Sequence, residues 1–493
     1  MKKIMFIALA GLVLTSCDMD INDNPNYPSA ADITPSLQFP AAVNAVAACT
    51  GDQLFNYAGF FVQYFDQRPE ANQYNDLAEL NIEETSDLFV RPYRLLYAGA
   101  LMDLKEVAEK TTNTADLFAT QVMRTQTYQL LVDNTDKTPY TEALQGSGNS
   151  TPKYDDGQAI YEGVLKELDE AEANLDANDV ITMTDPVLNQ NISQWKGYAN
   201  ALRLRMYLRF IDANINAADY TNKVKALVAA NDFFTGEVAW DVYSDAEGQY
   251  NPWYDAVFNL ANNHCAAFPL VEYFKAMDDP RISYAILPRT SDNTYVGLYP
   301  GSKQDNVFWS NSTPKNADVS GINFDVTHAM PIFFFTQSEL QFLIAETQLR
   351  FNNNDAAAQA AYEAGVASDF AYRGMAADAA AFLSANGAWN GSTTDKLNLI
   401  YMQKWVALFM RDHMEAWSEQ RRTDVPKVSS KTAAQVKADP TIYTPGELLI
   451  PVRNSKGNGG LCLSIPYSSD SRKYNSNTPA ARKITDRVFW DVK

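Results

Sequence analysis

Two stretches of this chain set flat rings among amides, carboxylates and a guanidinium. The first runs from Tyr64-Phe65-Asp66-Gln67-Arg68 to Asn72-Gln73-Tyr74-Asn75-Asp76. The second comprises Tyr250-Asn251-Pro252-Trp253-Tyr254, then Tyr295 to Tyr299, then Trp309. A ring offers its apolar face to the apolar face of a sugar, while amides, acids and arginine answer the hydroxyls. Neither stretch is periodic, so these groups are expected on loops, where binding residues concentrate. Tyr64, Tyr74, Trp253, Tyr295 and Trp309 are the candidate stacking platforms. Gln67, Arg68 and Asn72 are the candidate polar partners. The plainer alternative is that the rings only pin long loops to the body.

Catalysis finds little support. His264, His328 and His413 are the three histidines, and none stands in a His-Glu-x-x-His pattern. No Gly-x-Ser-x-Gly elbow occurs. Gly146-Ser147-Gly148 precedes no P-loop lysine. The acidic pairs Asp155-Asp156, Glu83-Glu84 and Asp278-Asp279 would serve a surface glycoside hydrolase, the alternative function, as its carboxylate dyad. Adjacent carboxylates are more commonly solvated surface. His264-Cys265 lacks the ligand count of a metal site. The chain therefore reads as a binding protein with no catalytic residue, metal or cofactor.

Cys17 carries a different chemistry. It ends Leu14-Thr15-Ser16-Cys17, behind an apolar run from Ile4 to Leu14 and a start containing Lys2 and Lys3. That order is a bacterial secretory leader, 1–16, and its end resembles a lipobox. The implied processing cleaves before Cys17 and attaches lipid to its sulfur and to the new amino terminus. The apolar run is about half the ~20 residues a spanning helix needs, so acyl chains are the expected anchor. The segment 17–35 is acidic and rich in Asn, Asp and Pro, and reads as a tether.

Net charge is −20, and becomes −22 once Lys2 and Lys3 leave with the leader. That excludes nucleic acid as partner and basic adhesion to anionic lipid. Cys49, Cys265 and Cys462 remain after Cys17; they are odd in number and widely spaced, which argues against a disulfide framework.

The elements that must position the rings are mostly helical. Leu204, Tyr207, Leu208 and Ile211 fall at helical spacing, with Arg203 and Arg209 off the stripe. Thr336-Gln337-Ser338-Glu339 fits a capping box before Leu340, Leu343 and Ile344. Residues 155–174 alternate Ile160, Val164 and Leu168 with an acidic face. Tyr401, Trp405, Leu408 and Phe409 mark a helix whose C-terminal end is expected near Arg421 and Arg422, where positive charge suits the dipole. Trp195, Asn200, Arg203, Arg205, Trp405, Glu415, Trp417, Arg421 and Arg422 would suit a binding patch, but read as packing and buried hydrogen-bonding residues or as a face that packs on a partner. Residues 231–335 and 424–493 break the pattern with Gly, Pro, Asn and aromatics, and long irregular segments are usually functional. No linker composition divides 36–493, so one helical body with a loop-rich lobe is expected.

Four segments then resemble a known family. They are Thr138-Pro139-Tyr140 with Thr151 to Asp155 and Ile160-Tyr161 to Ala171; Trp195-Lys196 with Ala199 to Arg205; Asp279-Pro280-Arg281 with Gly297, Gly301 and Pro331 to Glu346; and Gln403-Lys404-Trp405 with Glu415-Ala416-Trp417 and Arg421-Arg422-Thr423. Together, in this order, they resemble the SusD/RagB nutrient-binding outer-membrane lipoproteins, in particular the SusD-like 2 branch. The acidic start after Cys17 also resembles the surface-export signal of Bacteroidetes lipoproteins. The order Pro466-Tyr467 then Asp470 departs from the family's more usual Tyr-Pro before an acid, and Thr135-Asp136-Lys137 replaces a Gly-containing turn. The resemblance implies a tetratricopeptide-like helical body. It also implies lipid anchoring on the outer membrane, exposure at the cell surface, and a role as lid on a SusC-like TonB-dependent transporter. Such lids pass oligosaccharides, or in some relatives peptides, inward.

Overall fold

The computed structural model describes residues 33–259 and 262–493. The leader 1–16, Cys17 and all but the end of the 17–35 tether lie outside the described residues.

The body is built from helix pairs. We number its principal helices α1 (Pro35–Ala48), α2 (Leu54–Phe61), α3 (Met102–Lys110), α4 (Thr114–Thr135), α5 (Gly157–Ala173), α6 (Ile192–Asp212), α7 (Ala217–Ala230), α8 (Gln337–Arg350), α9 (Asp355–Tyr372), α10 (Thr393–Leu408) and α11 (His413–Thr423). Helix α4 packs on α5, α6 on α7, α8 on α9 and α10 on α11, the tetratricopeptide-like arrangement. Their starts are capped as local chemistry requires. The side chains of Asn113, Asn191, Thr336 and Asp412 accept from backbone N–H groups of the first turns of α4, α6, α8 and α11. Ser392 and Asp395 close a reciprocal capping box on α10.

Two local expectations are corrected. Thr336 does accept from the Glu339 N–H at 3.1 Å, but the Glu339 carboxylate does not turn back to complete a box. It receives Arg205 through two bonds of 2.8 and 2.7 Å, because a buried guanidinium needs a charged partner more than a helix start needs a second cap. The helix expected from Tyr401 to Arg422 is two helices, α10 and α11, broken at Phe409–Asp412 with Met410 at φ 59°.

Buried charge ties the pairs together. Arg209 is 0% exposed and donates to Asp133 at 2.6 Å and to both oxygens of Glu415 at 2.8 and 2.7 Å. Arg422 reaches Glu346, Glu419 and Asp212. These bonds span α4, α6, α8 and α11, so the arginines off the apolar stripe are core residues. Trp195 and Trp417 are likewise buried, their indole N–H groups donating to Asp185 and to the Cys462 carbonyl.

The lobe carries six short strands: β1 (Phe65–Gln67), β2 (Val238–Trp240), β3 (His264–Ala266), β4 (Ile286–Leu287), β5 (Gly321–Ile322) and β6 (Ile332–Phe335). Four form an antiparallel sheet in the order β1-β3-β5-β4, and β2 pairs with β6. In β1 and β3 every residue is buried, which is why neither alternates.

Candidate ligand-binding face

The site is best built outward from β1. Its register sets Asp66 opposite Cys265 and Gln67 opposite His264. The ladder continues one step further, with Arg68 N–H donating to the Asn263 carbonyl at 2.9 Å. The chain then leaves the sheet, and residues 68–76 cross the surface as a loop.

Three of the sequence candidates are core residues, which corrects their assignment. Tyr64 is 0% exposed; its ring packs on Trp405, Phe409 and His413, and its hydroxyl donates to the Trp405 carbonyl. Trp253 is also 0% exposed, stacked on Phe65 at 5.4 Å and on Phe324 at 5.4 Å, with its indole N–H on Asn56. Gln67 is buried, donating to the Asn263 carbonyl and accepting the Tyr74 N–H. These groups pin the loops to the body, as the plainer alternative has it.

The remaining candidates are accessible, and most of them share a face. Asn72 is exposed, while Arg68, Tyr74 and Trp309 are half-buried. The loop 68–76 is fastened to the segment 301–316 at several points. Gly301 N–H donates to Asp66 at 3.1 Å. Lys303 donates to Asn72 at 2.7 Å, Gln304 reaches the same oxygen at 3.4 Å, and Glu70 and Asn316 exchange two bonds. Trp309 is oriented by its indole N–H on the Ser302 carbonyl at 2.9 Å, with Phe308 against its edge. Thus residues from the two ring-bearing stretches, more than 200 positions apart in sequence, meet on one surface. A third segment joins them through Arg453, which donates to Glu79 at 3.0 Å and to Gln304 at 3.1 Å.

Gly301 is required at this junction. Its φ is +64°, and an added Cβ would lie 2.9 Å from Pro451 Cβ and 3.0 Å from the Ala78 carbonyl oxygen. Only glycine allows three segments to approach so closely in a left-handed conformation.

The Arg68 guanidinium makes no hydrogen bond or ion pair among the described residues, so it remains available to a hydroxyl or carboxylate. Beneath it, burial pushes the Asp66 carboxyl well above its ordinary range, against the donating Gln67 and Gly301 N–H groups.

Tyr295 lies apart. It lines a cavity of about 680 Å3 together with Asp278, Pro280, Asp378 and Phe382. Tyr250 and Tyr254 form a separate ring cluster with His328, which sits 4.1 Å from Tyr254. Sequence reasoning missed Lys303, Gln304 and Arg453; single polar residues in irregular sequence carry no signal until their partners are known.

Four of the six carboxylates in the acidic pairs have structural partners. Asp155 accepts the Tyr140 and Thr141 N–H groups, Asp156 pairs with Lys137, and Glu83 pairs with Lys456. Asp279 is buried on Arg281. His264 is held on Asn56 at 2.6 Å, and burial pushes its pKa down to about 3, so its ring is neutral. Among the described residues no group of three His, Cys, Asp or Glu side chains gathers as a metal site.

A body of helix pairs carrying a loop-rich lobe with short strands is also the fold that the comparisons return. The family model SusD-like_2, described as starch-binding and associating with the outer membrane, matches residues 27–444. The chain belongs to this family, whose members are binding proteins. A solved chitin-binding protein superposes with a TM-score of 0.74 at 23% identity, over 93% of this chain and 100% of that one. A chitin-binding SusD homologue from Flavobacterium johnsoniae gives 0.72 at 20% identity, over 93% and 98%. A SusD/RagB family protein from Bacteroides thetaiotaomicron gives 0.71 at 19% identity, over 93% and 99%. At these identities the likeness shows the fold. Among curated proteins none matches the chain.

Proposed function

We propose that this protein is a surface-exposed outer-membrane lipoprotein, anchored through lipid on Cys17, that captures oligosaccharides and delivers them to a SusC-like TonB-dependent transporter. The single observation that supports the capture step is the fastening of the 68–76 loop, which carries Arg68, Asn72 and Tyr74, to the 301–316 segment, which carries Trp309. A half-buried indole fixed by its own N–H is a rigid platform, and an unpaired guanidinium and an exposed amide on the adjoining loop suit hydroxyl groups. The family's description as starch-binding, and the two structural relatives that are chitin-binding proteins, favour a glycan over a peptide.

Calorimetric titration with malto- and chito-oligosaccharides tests the capture step. Binding without release of reducing ends is expected; release of reducing ends would make the protein a glycoside hydrolase instead. Detergent extracts should yield the protein together with a TonB-dependent barrel, and Cys17→Ala should leave it in the aqueous phase. Recovery of free monomer beside abundant barrel would remove the delivery step.

A further inference from the structure

Lys303 is 8% exposed, an unusual place for an ammonium group. It donates to Asn72 Oδ1 at 2.7 Å, to Asn75 Oδ1 at 3.2 Å and to the Ala71 carbonyl. Three donors meet three acceptors, all within one turn of the 71–75 loop. The residue before it, Ser302, supplies the carbonyl that orients the Trp309 indole. Two consecutive residues therefore hold an amide on one side and an indole on the other.

We propose that Lys303 is the positioning residue of the ligand face: its buried ammonium holds the 71–75 loop against 301–309 and so sets the spacing of Asn72 and Trp309. The inference rests on the reading of this face as the ligand site. Lys303 does not touch ligand; it acts through Asn72 and the loop that carries it.

The arrangement makes capture sensitive to alkali. The charged groups facing Lys303 are Asp66 on β1, Glu79 at the end of the 68–79 segment with Arg453 on it, and the Cys265 thiol on β3, which Arg68 also faces. Burial lowers the Lys303 pKa from its ordinary 10.5, against the opposing pull of Glu79 and Asp66. The neutral amine has two N–H donors for three acceptors, so one bond to the loop is lost.

Lys303→Met keeps the stem and removes the donors. It is expected to speed hydrogen exchange of the 70–76 amides about tenfold and to weaken binding of a malto- or chito-hexaose about tenfold. Asn75→Ala removes one acceptor without touching a ligand residue; it should shift both readings the same way by less, and it stands in should Lys303→Met not fold. In the parent, affinity should fall with rising pH before the ordinary lysine value of 10.5 is reached, and Lys303→Met should lack that fall. Unchanged exchange in both variants overturns the clamp. Faster exchange with unchanged affinity overturns its role in capture. Trp309→Ala serves as control, with weaker binding and unchanged exchange expected. Should it bind like the parent, the ligand face itself is wrong, while the exchange measurement still decides the clamp.

Discussion

Arg209 and Arg68 are both guanidinium groups, and they mark the two regions of the molecule. Arg209 lies in the helical body with no exposed surface, answered by Asp133, Glu415 and the Tyr161 hydroxyl. Arg68 lies on the lobe, half-buried, with its side chain unanswered among the described residues. The body pairs its buried charges internally, even where single atoms such as Arg209 Nε stay without a partner, whereas the Arg68 side chain on the lobe stays open toward solvent. A buried charge without a partner is too costly to keep, so charge pairing in the body is a condition of folding. Incompleteness on the lobe is tolerable because water substitutes until a ligand arrives.

The contrast breaks first in the body. Arg209→Ala would leave Asp133 buried without its cation and Glu415 with Arg205 alone at 3.3 Å, with an expected loss of about 3–5 kcal/mol in denaturant unfolding. Tyr64→Ala should cost a similar ~3–5 kcal/mol, because it removes a core ring. If Tyr64→Ala instead weakens glycan binding and spares stability, the division between core rings and ligand rings is misplaced. Trp309→Ala should do the reverse. We expect about 2 kcal/mol, roughly thirtyfold, off the affinity in calorimetry, with the circular dichroism melt little changed.

Acid should likewise act on the body before the lobe. Burial pushes the Glu346 carboxyl up, but Arg422 and Arg350 overrule it and hold it at about 2, below the ordinary 4.5. A carboxyl with a depressed folded value stabilises fully above its ordinary value and loses that contribution as pH falls toward the folded one. Stability to denaturant should therefore fall between about pH 4.5 and 2, and Arg350→Ala should flatten that fall. A parent whose stability is unchanged across this window would contradict the assignment.

The smallest effect sharpens the lobe. Gly301→Ala forces an L-residue into the left-handed region, at about 1–2 kcal/mol, and presses on Pro451. It should lower affinity by parting the 68–76 and 301–316 loops while leaving the helical body intact. Comparable binding by this variant would mean that the junction does not govern the face.

Much of this was legible in the chain. Periodicity at Ile160, Val164 and Leu168 marked α5, and the Pro-, Gly- and Asn-rich run at 231–335 marked a lobe that holds five of the six strands. The structural reading of Trp195, Arg205, Glu415 and Arg422 also agrees with their burial. Such signals are local, since apolar spacing and turn residues act through neighbours a few positions away. Periodicity missed the break at Met410, because a single left-handed residue leaves the apolar spacing on either side undisturbed.

Which rings meet solvent was decided only by tertiary structure. Tyr64 and Tyr74 lie ten residues apart in similar surroundings, yet Tyr64 is sealed by Trp405, Phe409 and His413, which arrive from more than 300 positions away, while Tyr74 stays half-buried. Trp253 and Trp309 divide in the same way. The sequence by itself determined that rings, amides and an arginine would sit on irregular segments, because their spacing suits neither helix nor strand. Their accessibility depends on what packs over them, and that follows from distant pairings such as Lys303 with Asn72 and Gly301 with Asp66, which no local pattern encodes.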